Sequence, residues 1–314
     1  MRASRGILVL LGWAGCSMLS EQAGSLGTPE GATGLATGAK QAYEKLQDLR
    51  KDLTPENEYY VGRAVATNIL ARHQYRYRNQ EAIAMGRLEG LTDYVNQVGS
   101  LVAAAALETP RDGDRPAPLA GFHFTVVESD EINAFAAPGG YVFVTAGAVR
   151  TAQSEDELAA VLAHEVAHVV RGHALGSIKK SRYANVSKDA LKQSGALDAT
   201  QLGQLTDLLE KGIDDMVDAF FVKGYSRDTE FEADQVGLAI LLRAGYEPRA
   251  LVGFLETLRR RQATGSGGFF QTHPPAADRI AKLGDRLAAQ GAARRPAPRA
   301  RVERFLLALR ELRG

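Results

Sequence analysis

The sequence has little of three things that often decide the class of a protein. It contains one cysteine, Cys16, so a disulfide within the chain is excluded. It contains no apolar run of about 18 residues or more, the length that a membrane-spanning helix needs. It has almost no excess of charge, because 38 Lys and Arg residues stand against 37 Asp and Glu residues. That balance gives no reason to expect nucleic acid as a partner.

The N-terminus predicts an exported chain. Two arginines, an apolar run from Ile7 to Ala14 and then small residues give residues 1–15 the layout of a secretory signal peptide. The stretch Ala14-Gly15-Cys16 resembles a bacterial lipoprotein processing site, in which Cys16 is lipidated and anchors the mature chain to a membrane. Trp13 departs from that pattern, since an aliphatic residue is usual there. The alternative is a plain signal peptide with an incidental cysteine.

Beyond Cys16, the composition predicts a tether, one domain and a basic tail. Ser17 stands where Asp would mark inner-membrane retention, which favours an outer-membrane lipoprotein facing the periplasm. Residues 16–40 are rich in Gly, Ala, Ser and Thr and predict a flexible tether. We expect residues 41–290 to form the main domain. Residues 291–314 are expected to form a basic linker and a short terminal helix.

Periodicity within the main domain predicts a mostly helical α+β fold. We expect helices over residues 56–72, 87–107, 155–171, 198–222, 226 or 228–245, 248–262 and 275–290. Strand-like runs occupy 122–128, 132–137 and 141–146. The terminal helix, from Val302, places apolar residues on one face and arginines on the other. This face could contact an envelope protein partner, anionic lipid or its own domain; it comprises Val302, Phe305, Leu306, Leu309 and Leu312.

Three of the six histidines lie in one helical segment, "LAHEVAHVVRGH". His164 and His168 are four residues apart and therefore project from one helix face. Neutral imidazoles at that spacing can bind one Zn²⁺, and Glu165 can accept a proton from water that the metal activates. The alternative is an apolar core helix with hydrogen-bonded histidines.

His173 is tempting as a third ligand, but the spacing argues against it. It lies five residues after His168, which on a continuous helix is about 140° around the axis. It therefore cannot share the metal with His168. We expect it at the helix C-terminus, where a histidine interacts favourably with the helix dipole. There it could contact a metal-binding residue without binding the metal itself.

The segment "SRDTEFEAD" offers the missing ligand. Glu230 and Asp234 are four apart on one helix face, which Ala233 and Gly237 would let approach another backbone closely. Glu230 is the better ligand, and Asp234 could orient a ligand histidine. Glu232 is about 160° away and should point elsewhere. The alternative is that these acidic residues lie at a helix N-terminus only because negative charge there interacts favourably with the helix dipole.

In four ordered blocks the chain resembles metallopeptidase family 48, the gluzincins that include HtpX-, BepA- and LoiP-like proteins. The blocks are "INAFAAPGGYVFVTAG", "SEDELAAVLAHEVAHVVRGH", "SRDTEFEAD" and "THPPAADRI". The resemblance implies a zinc metalloprotease domain with a small β-sheet, whose edge strand lies beside the active-site helix. It implies one zinc ion on His164, His168 and Glu230, with Glu165 as general base and Asp234 behind the ligands.

The resemblance also implies two further sets of site residues. An edge strand of Asn133, Ala134, Phe135 and Ala136 would align an extended or unfolded polypeptide substrate by strand addition. Turn and core placement is the alternative for these residues. His273 would lie near the zinc, where it could stabilise the tetrahedral intermediate or temporarily occupy the open metal position. A loop histidine ahead of a helix is the alternative.

Two departures narrow the expected branch of the family. The chain lacks the spanning helices of the HtpX and prenyl-protease branches, and the stretch after Gln290 is too short for a tetratricopeptide repeat. We therefore expect a compact bacterial lipoprotein, an envelope endopeptidase in quality control of unfolded or misassembled envelope proteins. The alternative is a zinc-stabilised, chaperone-like lipoprotein with little proteolysis. In that case the polar helix over 198–222 could cover the cleft.

Overall fold

A computed structural model describes residues 54–71, 76–77, 89–108, 113–175, 224–262, 273, 276–289 and 296–312. The predicted signal peptide, the tether after Cys16 and the polar helix over 198–222 lie outside the described residues. Among the described residues, no helix combines the length and apolar content needed to cross a bilayer.

The described elements confirm a mostly helical α+β fold. The helices are α1 Pro55–Ala71, α2 Glu89–Leu107, α3 Ala146–Thr151, α4 Glu155–Val170, α5 Arg227–Arg243, α6 Ala250–Gln262, α7 Ala276–Ala289 and α8 Arg299–Glu311. The strands are β1 Arg76–Tyr77, β2 His123–Glu128, β3 Ala134–Ala137 and β4 Tyr141–Thr145. Each element predicted within the described residues forms, with shifts of a few residues at its ends. Strand β1 and helix α3 were not predicted.

The four strands form one mixed sheet in the order β1-β2-β4-β3. Strand β4 runs parallel to β2 and antiparallel to β3. Its β-branched and aromatic residues suit a buried pleated surface, and the rings of Phe143 and Phe135 stack across the β3–β4 pair at 5.1 Å. Strand β3 is therefore an edge of the described sheet, as the family resemblance implied.

Helix α4 is the central element of the domain. The Ser154 hydroxyl caps it by accepting from the Glu157 N–H, and every residue of the helix except Val169 is buried. A helix that is buried all round must be enclosed by other elements, and α4 contacts α2, α5, α6 and β3. Its polar residues, His164, Glu165 and His168, therefore lie in the interior of the domain.

The N-terminus of α4 is fixed by a buried carboxylate. Glu155 accepts hydrogen bonds from the hydroxyls of Tyr94, at 2.9 Å, and Tyr246, at 3.0 Å. It also accepts two from the Arg304 guanidinium of α8. Arg301 of the same helix donates to Asp156 at 2.7 Å. Helix α8 thus docks on its own domain, which was one of the three expected contacts.

The surface of α8 that packs on the domain covers only part of its predicted apolar face. Phe305, Ala308 and Leu312 are buried, whereas Val302 is 45% exposed and Leu306 51% exposed. These last two residues belong to the predicted apolar face but lie outside its contact with the domain. The arginines of α8 that lie nearest to α4 pair with its terminal acids, and this pairing sets the rotation of the helix.

Candidate metal centre

Four buried side chains from three parts of the chain converge beside the middle of α4. His164 and His168 come from α4, Glu230 from the first turn of α5, and His273 from the segment before α7. Each offers one ligand atom, and these four atoms lie within 4.8 Å of one another. All four were expected near a zinc ion, from the sequence or from the family resemblance, and the fold brings them together.

The separations between the ligand atoms fit a single ion. His164 Nε2 lies 3.1 Å from His168 Nε2 and 3.4 Å from Glu230 Oε2. His168 Nε2 lies 3.5 Å from Glu230 Oε1. Ligand atoms on one tetrahedral zinc ion, with bonds of about 2.0–2.1 Å, are about 3.3 Å apart. Two imidazole nitrogens and a carboxylate are also a donor set that zinc prefers.

Two buried carboxylate oxygens, one in this cluster and one beside it, have no hydrogen bond among the described residues. They are Glu230 Oε1 and Glu165 Oε1, and both residues are 1% exposed or less. A buried acceptor without a partner costs free energy. A cation at the convergence of the ligand atoms would satisfy the Glu230 oxygen, so the residues fit a metal ion.

Glu165 lies beside the cluster and not within it. Its Oε1 atom is 4.0 Å from His273 Nε2. Burial raises the pKa of Glu165, although the neighbouring His164 and His273 oppose this. A carboxylate with a raised pKa is a better proton acceptor, because the pKa of an effective general base lies near the working pH.

The ion pair of Asp234 and Arg279 orients the His164 ring from the side opposite the cluster. Its Nδ1 atom lies 3.1 Å from Asp234 Oδ1, and Asp234 accepts two hydrogen bonds from Arg279, at 2.6 and 2.8 Å. Burial would raise the pKa of Asp234, but the Arg279 charge prevails and lowers it to about 2. Asp234 therefore remains ionised and holds the His164 ring, with Nε2 directed at the cluster.

Arg279 is a site residue that the sequence reasoning missed. Its side chain is 1% exposed, and its Nη1 atom lies 3.1 Å from Glu230 Oε2, so it contacts Glu230 as well as Asp234. The signal was available in "THPPAADRI", where Arg279 follows His273 by six residues. A single arginine in an amphipathic helix did not stand out, because only the fold shows that it points inward.

His168 has different neighbours. The Tyr225 ring stacks on its imidazole with centroids 4.3 Å apart, and His173 Nδ1 lies 2.9 Å from His168 Nδ1. His173 is not in the group that could hold the ion. The sequence geometry for His173 assumed a continuous helix, but α4 ends at Val170, and His173 folds back onto His168.

The predicted substrate strand is displaced by one residue. Strand β3 covers Ala134–Ala137, and Asn133 precedes it as a buried residue whose carbonyl accepts from the Thr145 N–H at 3.0 Å. Hydrogen-bonded pairs alternate along an antiparallel ladder. The bond at Asn133 therefore directs the backbone groups of Ala134 and Ala136 away from β4, toward the edge of β3 on which no described strand pairs.

Comparison with known proteins places this site in a family context. Residues 94–287 match the sequence profile of peptidase family M48. Metalloprotease YcaL of Escherichia coli (strain K12) is 32% identical over 167 residues, 53% of this chain and 62% of that protein. The beta-barrel assembly-enhancing protease of the same strain is 30% identical over 62% of this chain and 39% of that protein. The mitochondrial metalloendopeptidase OMA1 of Schizosaccharomyces pombe is 37% identical over 50% of this chain and 44% of that protein. The chain thus spans less than two thirds of each of the three relatives.

Proposed function

Because the chain belongs to peptidase family M48, we propose that it is a zinc-dependent endopeptidase. The observation that supports this best is the convergence of His164 Nε2, His168 Nε2 and a Glu230 oxygen at 3.1–3.5 Å beside the buried carboxylate of Glu165. His164, His168 and Glu230 would hold one zinc ion per chain. When bound, the ion supplies Lewis-acid activation of water and of the substrate carbonyl.

Glu165 performs the proton transfers in this proposal. It accepts a proton from the attacking water as the new carbon–oxygen bond forms at the scissile carbonyl. It then donates that proton to the amide nitrogen as the carbon–nitrogen bond breaks, so that a carboxylic acid and an amine result. Its position beside the cluster and its raised pKa support both steps.

His273 contributes next to Glu230 in the same proposal. Its Nδ1 atom lies 2.8 Å from Glu230 Oε2, and its Nε2 atom faces Glu165. From there it would stabilise the charge that develops on the substrate oxygen, or occupy the open metal position between turnovers. If His273→Ala left both the activity and the pH–rate profile unchanged, His273 would have no place in the site.

The substrate would bind as an extended chain along β3. The free-edge backbone groups of Ala134 and Ala136 offer main-chain hydrogen bonds that do not depend on the substrate sequence. Strand β3 contacts α4, and α4 bears His164, His168 and Glu165. An extended polypeptide on this edge would therefore pass beside the metal-binding residues.

The setting we propose is the bacterial envelope, with the protease acting on unfolded or misassembled envelope proteins. The signal-peptide pattern of residues 1–15 and the single cysteine, Cys16, support an outer-membrane lipoprotein that faces the periplasm. One relative is named as a beta-barrel assembly-enhancing protease, which supports a substrate class of envelope proteins.

Glu165→Gln tests the proposed reaction, because it removes the proton acceptor and leaves the ligands in place. We expect the purified variant to bind one equivalent of zinc and not to cleave unfolded casein. The wild-type protein should cleave casein, lose this activity with a chelator and regain it with zinc. A variant that binds zinc and retains full activity would refute the role of Glu165. Wild-type protein that binds zinc without cleaving casein would favour a chaperone-like function instead.

A further inference from the structure

The chain reverses sharply where α4 ends, and the reversal places His173 against a metal-binding residue. The backbone of Gly172 is left-handed, with φ +65, a conformation that glycine adopts at little cost. Its N–H donates to the Val169 carbonyl at 2.9 Å, which closes the end of the helix. His173 consequently packs beside His168, with ring centroids 4.8 Å apart.

The contact between the two rings has a definite chemical direction. His168 presents Nε2 to the metal cluster, so a metal-binding His168 is neutral and carries its proton on Nδ1. His173 Nδ1, at 2.9 Å, must then accept that proton's hydrogen bond. His173 in turn carries its own proton on Nε2, which lies 3.4 Å from Glu232 Oε2.

Glu232 is itself fixed by charged neighbours. Arg171 donates to Glu232 Oε1 from Nε at 2.6 Å, and its Nη1 atom donates to Asp114 at 3.1 Å. Glu232 is therefore held as a carboxylate, and its position favours a proton on His173 Nε2 that can be donated to it. Tyr225 covers the face of the His168 ring, whereas His173 acts in the plane of that ring.

We propose that His173 is a positioning residue of the metal centre, which fixes the tautomer and orientation of His168, and that Glu232 fixes His173 in the same way. This inference rests on the proposed zinc binding. Each acid of "EFEAD" then has a separate role, since Glu230 binds the ion, Asp234 orients His164 directly, and Glu232 orients His168 through His173. Both histidines thereby have an orienting partner, which zinc ligands usually require.

Zinc affinity of three variants tests the proposal. His173→Phe keeps the ring volume and removes the acceptor, so the zinc dissociation constant should rise about 10–100-fold. His173→Asn should recover most of that loss, because its Oδ1 atom can reach the position of His173 Nδ1. His123→Phe is the matched control on β2, where His123 is exposed and stacks on Tyr141, and should bind zinc like the wild type.

The affinities are measured by competition with a chromophoric chelator, and thermal unfolding of the metal-free variants checks that each one folds. Equal affinities for wild type and His173→Phe would overturn the proposal. So would His173→Asn binding as weakly as His173→Phe, since the acceptor atom would then be irrelevant.

Histidine ¹⁵N NMR of the zinc-loaded wild-type protein provides a readout that needs no variant. We expect His168 to be protonated on Nδ1 and His173 on Nε2. A His173 protonated on Nδ1, or on both nitrogens, would refute the hydrogen-bond direction even if zinc is bound. Failure of the wild type to bind zinc at all would instead refute the proposed function.

Discussion

Gly237 of α5 lies so close to His164 of α4 that a Cβ atom on the glycine would be 3.3 Å from the His164 backbone nitrogen. The absence of a side chain therefore sets the distance between the two helices. Because α4 provides His164 and α5 provides Glu230, this distance also sets how far apart the proposed ligands can be.

Gly237→Val should separate the two helices. Overpacking in a core costs about 1–3 kcal/mol, and the movement of Glu230 away from α4 should also weaken zinc binding. Urea unfolding and chelator competition measure the two effects. Gly284→Val on α7 is the control, since a Cβ there would have no neighbour within 4 Å. Equal behaviour of both variants would contradict the close-packing role.

Arg279→Met should be strongly destabilising. It leaves Asp234 and Glu230 buried without their cation, and breaking a buried pair in this way costs about 3–5 kcal/mol. The double variant Arg279→Met/Asp234→Asn should recover part of that loss in urea unfolding, because one unpaired charge is gone. If the single variant unfolded at the wild-type urea concentration, the ion pairs to Arg279 would have no importance for stability.

Helix α8 should contribute to the stability of the domain through its buried face. Phe305 is 3% exposed, so Phe305→Ala should lower the free energy of unfolding by about 3–5 kcal/mol. Leu307→Ala is the matched control, because Leu307 is 58% exposed and surface changes usually stay within about 0.5 kcal/mol. Equal unfolding midpoints would show that α8 does not dock in solution.

A proline at Ala136 should impair substrate binding without removing a bond of the sheet. It eliminates an N–H that we infer to face the free edge, and proline is tolerated at such edge positions. We expect KM for an unfolded substrate to rise about tenfold, with zinc affinity unchanged. Ala137→Pro is the matched change at a ladder-bonded position and should instead lower the thermal midpoint. An unchanged KM in Ala136→Pro would exclude strand addition at β3.

The metal-free protein should become less stable as the pH rises. Burial lowers the pKa of His164, but hydrogen bonds to Asp234 and Glu230 prevail and raise it to about 9. The unfolded value is about 6.5, so the stabilisation is complete below that pH and is lost as the pH rises through 9. Apparent zinc affinity should increase over the same interval, because zinc requires the neutral imidazole. His164→Gln should reduce the pH slope of the thermal midpoint between about pH 6.5 and 9.

The sequence predicted those features that depend on local periodicity. The approximate bounds of α4 and α5 follow from their apolar spacing, and the pairing of His164 with His168 follows from helix geometry alone. The choice of Glu230 as the third ligand followed from its spacing to Asp234, and the family resemblance supported it, but no local signal says how the helix that bears Glu230 packs on α4.

The features that were missed depend on the packing of segments far apart in the chain. The position of His173 follows from one left-handed glycine, Gly172, which helix geometry does not reveal. The burial of Arg279 follows from two carboxylates of α5, and the rotation of α8 follows from acids at the start of α4. In each case the deciding partner is either a backbone conformation or a charge from another element.

Among the described residues, the polar interior beside α4 has an unbalanced formal charge. Three carboxylates, Glu165, Glu230 and Asp234, face one guanidinium, that of Arg279, and all four side chains are buried. When the histidines are neutral, two negative charges remain. A divalent cation brings the sum to zero, whereas a monovalent or trivalent ion does not. The charge of the described residues therefore favours a divalent ion, in addition to the geometry of the proposed ligands, and protonation of His164 would supply part of the missing positive charge when no ion is bound.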